Sequence, residues 1–246
     1  MTYIDLNCDM GEGLDNDAAI MPYITSANIA CGYHAGSPDT MKRTVELAAM
    51  HNVAAGAHPG FADPQNFGRT EQHLTEAALY DLVSTQVYAL QSICRQHHIP
   101  LVHVKPHGAL YNMAARDADM ARVIVKAVRD VDKQLSFFGL SGSCLISAAE
   151  EAGLKTVSEV FADRTYQDNG TLTPRSVAGA MIEEETLAVK QVLQMITQQE
   201  VTTLSGKLIP LKAQTICIHG DGVHAVEFAR NIHATLIQHH LTIQHP

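Results

Sequence analysis

His103-Val-Lys-Pro-His-Gly-Ala-Leu-Tyr-Asn112 places two imidazoles and an ammonium within five positions. Side chains alternate along a strand. A strand over Leu101 to Lys105 therefore turns Val102 and Val104 one way and His103 and Lys105 the other. Pro106 then ends regular pairing near His107. A lysine facing inward near a strand end must be paired or functional. His103 lies deeper than His107 and reads as a packing or supporting histidine. Other predicted strand ends carry similar groups: Asp5, Asn7, Asp9 and Glu12; Asn28 and His34; His58; Glu159, Asp163 and Arg164; His219 and Asp221. Gathered in one concave site, such acids, imidazoles and a lysine would shift each other's pKa values. They would supply acid, base and electrostatic roles.

Each residue also has a plainer explanation. Asp5 or Asn7 could be a buried polar group bonded to a loop, and Glu12 a solvated loop charge. His34 and His58 could hold turns, and Asp163 could pair with Arg164. The shared position at strand ends is what favours a site. Asp9, His58 and His107 also make a carboxylate–two-histidine set suited to a hydrolytic Zn²⁺ or similar ion. No local His-x-x-x-His spacing enforces that set, so the sequence leaves a divalent metal open.

The elements that must position these groups follow a regular order. Predicted strands cover Tyr3 to Asp9, Thr25 to Cys31, Val53 to Ala57, Leu101 to Lys105, Leu135 to Leu140, Lys155 to Val160 and Thr215 to Asp221. Helices are predicted from Ser37-Pro38 to Met50, Thr75 to His97, beyond Asp117, Cys144 to Ala152, beyond Glu183, and from Asp221 to Gln238. The Asp117 helix carries Met120, Val123, Ile124, Ala127 and Val131 at helical spacing. Thr202 to Leu211 reads as a small hairpin or excursion, and the residues around His239, His240 and His245 as an exposed end. Alternating strands and helices predict a parallel sheet, closed into a barrel or open and doubly wound. Polar C-terminal strand ends suit the barrel, whose sites gather at that face. Seven strands in place of eight predict an irregular or partly open ring.

The 246 residues show no linker and read as a single domain, 1–246; they are 46% hydrophobic, enough for a sizeable core. A net charge of −9 argues against a nucleic-acid or anionic-membrane surface. Cys8, Cys31, Cys94, Cys144 and Cys217 are scattered and odd in number, which disfavours a disulfide framework. The opening residues enter a strand without the marks of a signal peptide, and no apolar run approaches a membrane span. A cytoplasmic location is expected. No Gly-x-x-x-x-Gly-Lys-[Ser/Thr], Gly-x-Gly-x-x-Gly at a helix start or Gly-x-Ser-x-Gly is present.

Long motifs carry a resemblance. Asp5-Leu-Asn-Cys-Asp-Met-Gly-Glu12, Ala27-Asn-Ile-Ala-Cys-Gly-Tyr-His-Ala-Gly36, Gly56-Ala-His-Pro59, Phe67-Gly-Arg69 and Lys105-Pro-His-Gly-Ala-Leu-Tyr-Asn112 resemble the LamB/YcsF family, as do Phe161-Ala-Asp-Arg-Thr-Tyr166, Pro174-Arg175 and His219-Gly-Asp221. The motifs cover nearly the whole chain in order. Arg69-Thr70 departs from the two arginines expected there. The resemblance implies a (β/α)7 TIM-like barrel related to the glycoside hydrolase and deacetylase barrels. It also implies the A component of a 5-oxoprolinase, opening the lactam of 5-oxoproline to L-glutamate with ATP and partner subunits B and C. On that reading Asp9 or His58 positions and deprotonates water, and Lys105 and His107 stabilise the oxyanion. Arg164 or Arg69 lies near the substrate carboxylate or phosphate. Asn7, Glu12, Asn28, His34, Glu159, Asp163, His219 and Asp221 are the remaining substrate-binding candidates. The rival readings are a stand-alone metal-dependent deacetylase or amidohydrolase, and a non-catalytic binding subunit.

Overall fold

The alternation of Tyr3–Met10 fixes two environments at once. Ile4, Leu6, Cys8 and Met10 are apolar and buried, while Asp5, Asn7 and Asp9 between them are polar and also buried. A strand buried on both faces must lie in a sheet covered on both sides. In the computed structural model, which describes residues 3–220 and 225–246, that sheet is a barrel. Its chain order is β1 (Tyr3–Met10), α1 (Asp17–Ile20), β2 (Ser26–Ala30), α2 (Pro38–Met50), β3 (Ala54–His58), α3 (Glu76–Gln96), β4 (Leu101–Val104), α4 (Gly108–Ala114), α5 (Ala118–Val131), β5 (Ser136–Leu140), α6 (Cys144–Glu151) and β6 (Thr156–Phe161). There follow α7 (Glu185–Gln198), β7 (Glu200–Thr202), β8 (Leu208–Pro210), β9 (Thr215–Ile218), α8 (Ala225–Gln238) and β10 (Thr242–Ile243).

β1 to β6 and β9 pair in parallel in the order β1-β2-β3-β4-β5-β6-β9, and β9 pairs back onto β1. This is the expected seven-stranded TIM-like barrel, and the ring is closed. The expected gap is absent because Asp5–Cys8 meet Thr215–Ile218 register by register. One irregularity is a register shift between Ala55 and Gly56, where β3 meets β4. β7 and β8 form the anticipated hairpin outside the barrel. The C-terminal residues are not simply an exposed end: Thr242 and Ile243 pair with Tyr3 and Ile4, although His239, His240 and His245 are exposed. Helix α4 is not foreshadowed by the spacing; Pro106 ends β4, and His107 serves as the cap from which α4 starts.

The apolar core lies between the ring and its helices. Outward-facing Leu6, Ile29, Ala57, Val104, Phe137, Val160 and Ile216 meet Val45 of α2, Val83 and Val87 of α3, and Ile124 and Val128 of α5. Ser37 caps α2 by accepting a hydrogen bond from the Thr40 N–H at 3.2 Å. On α5 the buried stripe is Ala121, Ile124, Val125, Ala127 and Val128, so Met120, Val123 and Val131 sit at its edge.

Inside the ring, hydrogen bonds replace apolar packing. Register places Asn7, Asn28, Gly56 and His103 at neighbouring levels. The Asn28 amide donates to Asn7 Oδ1 at 2.7 Å and Asp9 Oδ1 at 2.8 Å, and His103 Nε2 bonds Asn28 Oδ1 at 2.8 Å. The His103 ring stacks on Phe138 with centroids 4.1 Å apart. It also covers Gly56, where an added Cβ would come within 2.0 Å of His103 Nε2. Gly56→Ala is therefore expected to destabilise the fold by about 3 kcal/mol, as overpacking does. Combining it with His103→Ala removes the clash. A double variant less stable than the sum of the singles would contradict this contact.

At the base of the ring, Asp5 accepts from Thr25 Oγ1 at 2.6 Å, Ser26 Oγ at 2.8 Å and Thr215 Oγ1. Burial outweighs these bonds and pushes its carboxyl up from 3.8 to about 6. A raised acid pKa means the fold binds the proton more tightly than the unfolded chain does. The Asp5 contribution is thus fully present below about pH 4 and falls by about 3 kcal/mol by about pH 6. Asp5→Asn is expected to remove that fall. The variant-minus-parent difference in unfolding free energy should rise across this window and then stay level. A difference that is flat throughout would contradict a buried proton on Asp5.

Candidate active site at the C-terminal rim of the barrel

Parallel strands point their C-terminal ends to one rim, and the chemistry-bearing residues gather there. Lys105, just beyond β4, is 2% exposed and lies across the mouth. Its Nζ is 2.9 Å from Asp9 Oδ1, 2.9 Å from Glu159 Oε1, 3.2 Å from Asn7 Oδ1 and 3.1 Å from Cys217 Sγ. An ammonium has three hydrogens, and all are taken by these neighbours. Burial alone would lower its pKa, but Asp9 and the other anionic neighbours outweigh burial and hold it well above the usual lysine range. For Asp9 burial acts upward, while His58 and Lys105 overcome it and hold the carboxyl well below its ordinary value. Glu159 is fully buried, and its second oxygen accepts from the Tyr111 hydroxyl at 2.6 Å. This makes a fixed pair of carboxylates around one permanent cation.

Three histidines stand beside it. His58 ends β3, and its Nδ1 meets the Lys105 carbonyl oxygen at 2.8 Å. His107 Nε2 meets the Phe67 carbonyl oxygen at 2.8 Å. The two rings bring His107 Nδ1 within 2.9 Å of His58 Nε2. Asp9 Oδ2 lies 3.3 Å from His58 Nε2, and Glu12 Oε1 lies 3.5 Å from His107 Nδ1. His34 stacks on His107 with centroids 3.7 Å apart, and its Nε2 reaches Glu12 Oε1 at 3.3 Å. Burial pushes His34 down to about 3 and, with His58 and His34 nearby, pushes His107 well below its usual value, so both rings are neutral.

Local chain geometry makes this crowding possible. Gln86 on α3 clamps the turn after β3, accepting from the Gly60 N–H at 3.0 Å and donating to its carbonyl at 2.8 Å. Gly68 has φ +64°, and a Cβ there would come within 2.7 Å of His34 Cβ and 3.0 Å of His107 Cδ2. Glycine relieves both constraints.

The rim opens into a cavity of about 500 Å³. Asp9, His58, Lys105 and His107, the four expected catalytic residues, all line it, as do Glu12, Arg69, Arg164 and His219. Asn7, Asn28, His34 and Glu159 were expected to bind substrate but lie behind the wall, each at most 1% exposed. Their polar atoms hold Lys105, Asp9, His103 and Glu12 instead. Asp163 likewise faces a neighbour: it pairs with His219 Nδ1 at 2.8 Å, while Arg164 donates to the Thr173 carbonyl at 2.6 Å. The Asp163–Arg164 loop bridge is thus replaced by an Asp163–His219 pair, and Asp221 lies outside the described residues.

Two contributors do not stand out in the strand-end pattern. Tyr111 sits one helical turn beyond His107, a neighbour visible only once α4 is known. Arg175 lines the cavity beside Arg164, and burial together with Arg175 pulls Arg164 down to about 10. Two cations that disfavour each other in a cavity make a receptive place for an anion.

The sequence model of the LamB/YcsF family matches residues 4–246. The chain belongs to the LamB/YcsF family. Among other members, the 5-oxoprolinase A component of Tolumonas auensis is 50% identical over 243 residues, 97% of each chain. The lactam utilization protein of Thermus thermophilus is 40% identical and superposes with a TM-score of 0.92, covering 98% of this chain and 99% of that one. A T48 deacetylase, 12% identical with a TM-score of 0.52 over 98% of this chain and 87% of its own, shares the fold alone. A glycoside hydrolase barrel, a β-1,4-mannanase, shares it too. Within this LamB/YcsF chain no described helix is long and apolar enough to cross a membrane.

Proposed function

We propose that the chain is the A component of an ATP-dependent 5-oxoprolinase, opening the lactam of 5-oxo-L-proline to L-glutamate together with subunits B and C. The observation that carries this reading is the meeting of Asp9, His58 and His107 in one cavity with Arg164 and Arg175. That cavity pairs acceptors for a water's protons with cations for a small carboxylate. Relatives named for this activity, half identical over nearly their whole length, supply the substrate class.

A lactam is a stable amide, so its carbonyl must be made more electrophilic before water adds. The ATP-consuming activation belongs to the assembled complex. In this chain the Asp9–His58–His107 cluster positions the water and draws off its proton. The water oxygen bonds to the carbonyl carbon, the ring C–N bond breaks, and the nitrogen takes up a proton to become the amine. Arg164 and Arg175 hold the carboxylate, or a phosphate introduced during activation, which departs as inorganic phosphate when a second water cleaves its bond to leave the free carboxylate. Lys105 has no hydrogen to spare for an oxyanion. Its part is to hold the Asp9 and Glu159 carboxylates in place, and the only N–H of neutral His107 is taken by the Phe67 carbonyl, so the expected oxyanion role passes from Lys105 and His107 to the neighbouring arginines.

Reconstitution tests this. Glutamate and ADP should form when this chain is combined with its B and C partners, 5-oxoproline and ATP. No glutamate should form from this chain alone or from B with C. Glutamate from B with C alone would overturn the assignment. Hydrolysis of simple N-acetyl substrates by this chain alone, without ATP, would favour the amidohydrolase reading.

A further inference from the structure

At the centre of the histidine cluster, ring nitrogens and carboxylate oxygens face one another. A carbonyl oxygen cannot donate, so His58 must carry its hydrogen on Nδ1 and His107 on Nε2 to meet the oxygens of Lys105 and Phe67. Rings pinned in this way turn His58 Nε2 and His107 Nδ1 toward each other across 2.9 Å. Asp9 Oδ2 stands 3.3 Å from the first and Glu12 Oε1 3.5 Å from the second. Nitrogens and oxygens facing at such distances repel unless a cation or a shared proton lies among them.

We propose that His58 Nε2, His107 Nδ1, Glu12 Oε1 and Asp9 Oδ2 bind a first-row divalent cation such as Mn²⁺, Co²⁺ or Zn²⁺. Three features support this beyond the clustering. Each imidazole donates its other N–H to a backbone carbonyl, the outer contact that orients metal-binding histidines. Two metal–nitrogen bonds of about 2.1 Å meeting near a right angle span about 3 Å, which matches the present separation. Asp9 and Glu159 share one ammonium, so the charge around Lys105 stays negative and a divalent ion offsets it. Mixed imidazole and carboxylate ligands suit this class of ion. His34 belongs to the same cluster by distance, but it is not a ligand. Its Nε2–H donates to Glu12, and its ring lies parallel to His107 within 5°, so the two lone pairs cannot converge. The ion would bind the attacking water and lower its pKa. This deepens the hydrolytic reading above, with the cluster acting on the water through the ion in place of taking its proton directly, and rests on the same cavity.

The test is the metal content of the purified full-length chain, measured after chelation and re-addition of Mn²⁺, Co²⁺ or Zn²⁺. About one ion per chain is expected to remain after desalting, and Co²⁺ should give visible absorption bands of mixed nitrogen and oxygen ligation. His58→Ala and His107→Ala should each weaken binding at least a hundredfold. Glu12→Gln, nearly the same shape, should weaken it about tenfold with the fold intact, and Arg175→Ala should leave it unchanged. Absence of any ion above background, with ¹⁵N signals of His58 and His107 showing one shared proton, would overturn the site. So would equal binding by the His58→Ala/His107→Ala double variant. An ion that binds in a chain yielding no glutamate with B and C would instead remove only the 5-oxoprolinase reading.

Discussion

Lys105→Ala is expected to lower the unfolding free energy by about 3–5 kcal/mol and to abolish glutamate formation by the reassembled complex. Breaking one side of a buried ion pair leaves the other charge without compensation, and the cost is of that order. Here two carboxylates lose the same partner, because Nζ is 2.9 Å from both Asp9 and Glu159. Urea unfolding of the purified chain measures the first effect. Adding Glu159→Gln to Lys105→Ala removes one stranded charge, so the double variant should recover part of the stability. It should recover no activity, since Asp9 still lacks its ammonium partner. A Lys105→Ala chain as stable as the parent would contradict the ion pair, and a double variant with restored turnover would contradict its role in placing Asp9.

His58→Ala is expected to reduce turnover by about 10²–10⁴-fold, the usual worth of a positioned proton acceptor. The change should appear in kcat, with KM for 5-oxoproline nearly unchanged, because Arg164 and Arg175, proposed to hold the substrate carboxylate, stand elsewhere in the cavity. Steady-state glutamate release by the complex with B and C measures it. The fold should tolerate the change better than loss of Lys105, since Asp9 and Glu159 keep their ammonium. A fall of less than tenfold, or one confined to KM, would place the reacting water away from this cluster.

Much of this architecture was legible in the residues. Polar and apolar side chains alternating along Tyr3–Met10 announced a strand with a chemical face, and the same pattern at His58, Lys105 and His219 pointed to a shared rim. The closed ring was not legible, because pairing between Asp5–Cys8 and Thr215–Ile218 joins segments some two hundred positions apart. Nor could the pattern separate cavity wall from interior. Asn7 and Asp9 share one face of β1, yet Asp9 lines the cavity and Asn7 lies a level deeper against Thr215 and Asn28. Depth along a strand decides that difference, and depth depends on where the ring closes. His34 shows the same limit: its motif was conspicuous, but its ring supports Glu12 and His107 from behind. Asp163 looked like the partner of adjacent Arg164, whereas folding hands it to His219, which arrives from β9.

The most direct measurement is a structure of the assembled complex with 5-oxoproline bound in the absence of ATP. The substrate is expected in the cavity at the barrel rim, its carboxylate against Arg164 and Arg175 and its lactam carbonyl facing the Asp9–His58–His107 cluster. Substrate bound wholly on the B or C partner, with this cavity holding only solvent, would contradict the account.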